Sequence, residues 1–202
     1  MKYSIEYCSL HYLNMWLKHD KRYHESINGV KREERLSAID GAAKYYKVAR
    51  NFPIKSENGR VRYERILKII DKVVASEFYG DTVSSVEKVE SKIRGVYKGG
   101  SVLSATTKLL WLKIRNPIII YDSQARKALN AKDGDFSDFY EKWHAAYEKD
   151  KEPIASACSK LSRISRYSCD QTIATKDYVK TISAQPWFQE RVFDVYLWHK
   201  GL

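Results

Sequence analysis

Apolar residues recur at spacings of three and four along most of the chain, the period of helices with one buried face. In residues 4–18, SIEYCSLHYLNMWLK, the stripe is Ile5, Cys8, Tyr12 and Trp16, widened by Leu13. Residues 31–50 repeat it through Leu36, Ile39, Ala43, Tyr46 and Val48, with Glu33, Glu34 and Arg35 towards solvent. A loop is expected at 51–60, where Pro53 and the Asn58-Gly59 pair are turn formers. From 61 to 79 the residues Val61, Ile66, Leu67, Ile69, Ile70, Val73 and Val74 predict one helix with a wide apolar face. Gly80 is placed to end it. Asp81 or Thr82 can cap the next helix, whose stripe is Val83, Val86, Val89, Ile93 and Val96.

The stretch 98–129, KGGSVLSATTKLLWLKIRNPIIIYDSQARKAL, changes character several times. Gly99 and Gly100 allow positive φ or the close approach of another backbone. Ser101 or Ser104 can cap a helix whose body is Leu109, Leu110 and Leu112, and Asn116-Pro117 ends it. Residues 118–121, IIIY, read as an extended connector pinned in the core. Asp122 then stands at the N-cap position of SQARKAL. After a polar loop at 131–135, a helix over 136–149 buries Phe136, Phe139, Tyr140, Trp143 and Tyr147, and Pro153 opens a further one. Lys160, Arg163 and Arg166 give that helix a basic edge. The last helix begins at Gln185-Pro186 and puts Phe188, Val192, Val195 and Trp198 on one face, with Arg191 and Asp194 nearby in sequence. The pattern predicts an all-α bundle of about nine to ten helices in a single domain over 1–202. It is compatible with lobes 1–97 and 98–202 and a cleft floored by 98–129.

Composition narrows the function classes. Of the 202 residues 44% are hydrophobic, enough for a real core, and Lys+Arg exceed Asp+Glu by 36 to 25 for a net charge of +11. Such a balance favours a polyanionic partner, nucleic acid first and an anionic membrane second. Fifteen Tyr, six Phe and five Trp fit base stacking and equally an ordinary helical core. Cys8, Cys158 and Cys169 form no C-x-x-C pair and the five histidines no H-x-x-x-H pair, so no metal and no cofactor is expected. Cys8 and His11 share one helical turn without a third group to orient the imidazole. A P-loop, a Rossmann glycine pattern, a G-x-S-x-G elbow and an H-E-x-x-H pair are all absent from the sequence. The N-terminus lacks the pattern of a signal peptide and no apolar run has the length of a membrane span, so a cytoplasmic monomer is expected.

In motif, the central stretch resembles the helix-hairpin-helix DNA glycosylases. GGSVLSATTKLLWL takes the place of their Gly-rich hairpin and lysine-bearing helix, and NPIIIYDSQARKAL that of their apolar connector, aspartate and following helix. The chain also looks like a divergent bacterial branch with an 8-oxoguanine-glycosylase fold, whose last helix reads Arg-x-x-Asp-x-x-Leu-Trp-x-x-Gly, as do Arg191, Asp194, Leu197, Trp198 and Gly201 here. The motifs cover about a third of the chain. Gly99-Gly100-Ser101 replaces the family's Gly-x-Gly turn, and Lys108 lies about one helical turn closer to the aspartate than the family's lysine. Keeping the family spacing puts Ser104 in the lysine's place.

The resemblance implies double-stranded DNA as partner and release of an oxidised or modified base, with or without cleavage of the strand. Asp122 would stabilise the positive charge that grows on the sugar, or activate a nucleophile. Its plain alternative is an N-cap worth about 1 kcal/mol. Lys108 would be the amine nucleophile. An ordinary lysine, with a pKa of about 10.4, needs desolvation or a nearby cation to react. Its plain alternative is a solvated side chain. Trp111, Tyr121 and Trp198 could wall a pocket for a flipped base, or simply pack in the core. Gly99, Gly100, Ser101 and Arg126 would meet the DNA backbone, and Arg126 could equally pair with a carboxylate. Two further readings stand beside this one: a non-catalytic DNA-binding protein with the same fold, and a helical protein-interaction subunit.

Overall fold

The structure, a computed structural model, describes residues 3–52, 62–97 and 100–202. The chain is all-helical over those residues, with no strand among them. In chain order the helices are α1 (Ile5–Met15), α2 (Lys21–Ile27), α3 (Arg32–Tyr45), α4 (Glu64–Ile70) and α5 (Thr82–Tyr97), then α6 (Leu103–Ile114), α7 (Ser123–Ala128), α8 (Phe136–Lys160), α9 (Lys176–Ser183) and α10 (Pro186–Lys200). A π-helical stretch, Trp16–Asp20, follows α1 directly. The turn expected around Pro53 and Asn58-Gly59 lies outside the described residues, as does Gly99. Among the described residues no helix is long and apolar enough to cross a membrane.

Packing divides the chain into two units, Met1–Lys21 with Asp122–Leu202, and Arg22–Tyr121. The boundaries differ from the 97/98 division that the sequence pattern allows. The reason is local: α5 and α6 lie on either side of residue 97 and pack against each other. The buried carboxylate of Glu90 on α5 accepts a hydrogen bond from the Val102 amide at the start of α6, at 3.0 Å.

In the Arg22–Tyr121 unit the core collects the predicted stripes: Leu36, Ile39 and Ala43 of α3, Ile66, Leu67 and Ile70 of α4, Val86, Val89 and Ile93 of α5, and most of α6. Gly41 has a steric role. A Cβ there would meet the Tyr23 ring at 2.9 Å, so the glycine lets that ring approach α3 closely. The single helix expected over 61–79 is instead broken. α4 stops at Ile70, Val74 is extended and half exposed, and the short 3-10 turn Ala75–Phe78 follows. Two adjacent β-branched residues, Val73 and Val74, weaken helix here, and the break carries Phe78 into the core. Asp81 caps α5 by accepting from the Ser84 amide at 2.9 Å. Residues 118–121 lie outside any helix and are buried, as the isoleucine run predicts.

In the other unit α1 packs on α10 and α8, and α10 also packs on α7. Cys8, Tyr12, Leu13 and Trp16 of the predicted first stripe are buried. α8 runs unbroken through Pro153, where a new helix start was expected. Proline leaves one intrahelical carbonyl without its N–H, here on the exposed side of the helix, where water can serve it. Trp198 departs from its expected face: it is 40% exposed, while α10 buries Phe188, Arg191, Val192, Phe193, Asp194, Val195 and Leu197. The buried arc of α10 is wide because α1, α7, α8 and α9 all pack on it, and Trp198 lies at its edge beside the His199 ring, 5.0 Å between centroids.

Candidate functional site

Lys108 sits midway along α6, and this helix is held at both ends by side chains remote in sequence. At its N-terminus Glu90 takes the Val102 amide. Ser101, an expected cap, adds only a long contact from the Leu103 amide at 3.4 Å, and Ser104 lies inside the helix. At the C-terminus the Leu112 carbonyl bonds the His24 imidazole Nδ1 at 2.7 Å and accepts from Asn28 Nδ2 at 3.2 Å. Asn28 also reaches the Lys113 carbonyl at 3.1 Å. These carbonyls are among those that a helix end leaves unpaired, so both side chains act as caps. Burial lowers the His24 pKa, which the bond to Leu112 partly opposes. In mid-helix, Thr107 Oγ1 accepts from the Tyr121 amide at 3.1 Å and fixes the end of the buried connector to α6.

The Lys108 side chain is nearly buried, at 5% exposure. Its Nζ donates to Ser104 Oγ at 2.7 Å and lies 5.9 Å from the centre of the Tyr46 ring, a cation–π approach. The two candidates for the nucleophile position, Ser104 and Lys108, are therefore neighbours on one helix face. The lysine stem spans the turn that separates them and delivers the amine to the serine hydroxyl. Trp111, at 0% exposure, and Tyr121 are buried and present no open ring face in this conformation. Gly100 is exposed, and a Cβ there would meet nothing within 4 Å. The close backbone approach expected of Gly100 is thus not used here.

Asp122 belongs to the other unit and is half-buried at the N-cap of α7. Its Oδ1 accepts from the Gln124 amide at 3.0 Å, and its carbonyl accepts from the Arg126 amide at 2.8 Å. Arg126 turns back on its own loop, donating to the Ala131 carbonyl at 2.9 Å, with Nε 3.2 Å from an Asp133 carboxylate oxygen. That is the carboxylate pairing weighed against a phosphate contact. The first turn of α7 is packed tightly against Gly201 just beyond α10. A Cβ on Gly201 would fall 1.9 Å from the Gln124 carbonyl oxygen. The terminal glycine of the last-helix motif thus has a steric cause, close approach to the backbone that Asp122 caps.

Beside α7, the motif's Arg191 and Asp194 form a buried pair at 2.7 Å, and Asp194 also accepts from the Trp143 indole at 2.7 Å. Arg191 lies 3.9 Å from Asp20 of the π-helical stretch and over the Tyr12 ring at 5.3 Å. Burial raises the Asp194 pKa. Arg191 and the indole hydrogen bond oppose the rise, and the Asp122 charge adds a smaller push upward. Among the described residues no group of three or more His, Cys, Asp or Glu is placed to hold a metal ion.

Three features of the site are remote contacts that local pattern reading does not reach: the Glu90 cap, the His24–Asn28 cap and the Gly201 packing. One had a visible signal. Glu90 falls inside the arc drawn by Val86, Val89 and Ile93, an acid on an apolar face that must find a donor. Comparisons with protein-family models, curated proteins and solved structures find no match to the chain.

Proposed function

We propose that the protein is a DNA glycosylase that removes a modified or damaged base, with Lys108 as the amine and Asp122 as the carboxylate. The observation that carries this reading is Lys108 itself: a nearly buried amine, hydrogen-bonded to Ser104, on a helix capped at both ends by distant side chains. Holding a nucleophile this firmly favours attack in one geometry.

In the reaction the Lys108 amine bonds to C1′ of the deoxyribose while the glycosidic bond breaks. The bonding pair leaves with the base, which takes up a proton. The amine gives up a proton, the sugar ring opens, and the resulting imine permits elimination of the strand's 3′ phosphate. Asp122, whose carboxylate accepts from the Gln124 amide, balances the positive charge that develops on the sugar during departure. Base flipping brings the target out of the duplex, and the basic surface supplies the long-range attraction.

The reading is tested with duplexes carrying oxidised or alkylated bases, in the presence of borohydride. A covalent protein–DNA adduct is expected from the wild type, and none from Lys108→Gln. An adduct that survives Lys108→Gln removes Lys108 from the role, and full base release by Asp122→Asn removes Asp122. If the wild type binds duplex DNA in a salt-dependent way yet releases no base from any substrate, the non-catalytic DNA-binding reading replaces this one.

A further inference from the structure

We propose that the junction of α9 with the C-terminal end of α8 is a nucleic-acid backbone surface, separate from the residues assigned to base release. This inference shares the nucleic-acid partner of the reading above but none of its chemistry.

α9 packs against the 3-10 turn Leu161–Arg163 that ends α8, and a second turn, Ser165–Tyr167, follows at once. Around this junction stand Lys160, Arg163, Arg166, Lys176 and Lys180, all exposed. Against them the segment offers two acids. Asp170 is committed to its own loop, accepting from the Thr172 hydroxyl at 2.6 Å and from the amides of Thr172 and Ile173. The other is Asp177 in the first turn of α9. Lys160 makes only a long, exposed ion pair with Glu6, 3.7 Å, and among the described residues Arg163, Lys176 and Lys180 have none. The apolar side of α9, through Val179 and Ile182, is what turns Lys176 and Lys180 outward at a spacing of four.

The surface is also shaped in advance. The loop after Tyr167 is tied to α1, where the Cys169 amide donates to Asn14 Oδ1 at 2.7 Å, and Gln171 donates to the Arg166 carbonyl at 2.9 Å. Little ordering entropy remains to be lost on binding. Tyr167 is 59% exposed, with the Arg166 guanidinium 4.8 Å from its ring centre and donating to its hydroxyl at 2.9 Å. An exposed ring beside a cluster of cations suits a phosphate backbone with a base at hand for stacking. An anionic bilayer fits less well, because Tyr167 is the one large hydrophobic side chain exposed in this segment and no aliphatic side chain of the segment is exposed to insert beside it.

The test is binding of a fluorescent unmodified duplex and a single strand, titrated from about 50 to about 200 mM salt. The double change Lys176→Glu with Lys180→Glu should weaken duplex binding by about tenfold or more and lower the salt slope by roughly one to two. Lys176→Arg with Lys180→Arg should keep both. Tyr167→Ala should weaken single-strand binding by about fivefold or more. If the Glu variant fails to fold by circular dichroism, the Lys→Gln pair reads the same slope. An unchanged affinity and slope overturns the proposal, as does tighter binding to phosphatidylglycerol vesicles than to DNA. A wild type that binds no duplex at any salt overturns this surface and the glycosylase reading together. Patch-dependent binding without base release upholds the surface and overturns the glycosylase alone.

Discussion

Asparagine in place of Asp122 keeps a cap and removes a charge, which separates the two roles of this residue. Asn and Asp serve about equally at an N-cap. Asp122→Asn is therefore expected to unfold within a few tenths of a kcal/mol of the wild type while losing base release. Asp122→Ala should lose about 1 kcal/mol as well, read from urea midpoints. Glu190 on α10 is a second informative carboxyl. Burial, reinforced by the neighbouring Asp194 and opposed by Lys151, pushes its pKa up from 4.5 to about 7. The folded chain thus holds a proton that the unfolded chain releases between those two values. Stability from this group is full below pH 4.5 and falls as pH rises to about 7. Glu190→Gln should raise Tm at pH 8 by a few degrees, at about 2–4 °C per kcal/mol for a chain of this size, and should flatten the profile between pH 5 and 8. At this scale the sequence was legible where the partner is near. Asp122 as a cap, and Ser104 one turn from Lys108, follow from spacings of two and four. Glu90 and Gly201 were not legible in this way, because their partners depend on how helices meet.

Among the elements, α6 is the one whose placement depends most on side chains from elsewhere. Asn28→Ala removes two donors from the carbonyls of Leu112 and Lys113. A loss of about 0.5–1.5 kcal/mol is expected, the net worth of hydrogen bonds that water can partly replace. If Lys108 is the nucleophile, the same variant should also slow the single-turnover rate without changing duplex affinity. Gly41→Ala is expected to destabilise α3 although alanine is the better helix former, because its Cβ would press on the Tyr23 ring. Loss of thermal stability checks this, and Tyr23→Leu in the same chain should relieve it. Periodicity made most of the helices readable, but not the short α2 and α9, and two boundaries were missed as well. The period of Val73 and Val74 continues α4 on paper, whereas their branched side chains and the burial of Phe78 end it. Pro153 signals a helix start, yet on the exposed side of a long helix its lost hydrogen bond is cheap.

For the molecule as a whole, the excess of Lys and Arg and the helical class were both visible in the sequence, but the unit boundaries were not. A hydropathy pattern is read along the chain, and the Met1–Lys21 segment joins Asp122–Leu202 across a gap of a hundred residues. Removing residues 1–21 should therefore abolish the cooperative unfolding of that unit, because α10 and α8 would lose Cys8, Tyr12, Leu13 and Trp16 from their core. Loss of the near-ultraviolet signal of Trp143, which is buried in that core, would report it. The pairing of α1 with α10 also sets an order in time. At translation speeds of about 5–20 residues per second, residues 16–185 take roughly 10–35 s to emerge between the two helices. Throughout that interval the apolar face of α1 has no α10 to cover it, while the Arg22–Tyr121 unit is completed partway through. The nascent chain thus presents a sticky amphipathic helix ahead of a finished domain, a substrate for chaperones that shield single helices during synthesis.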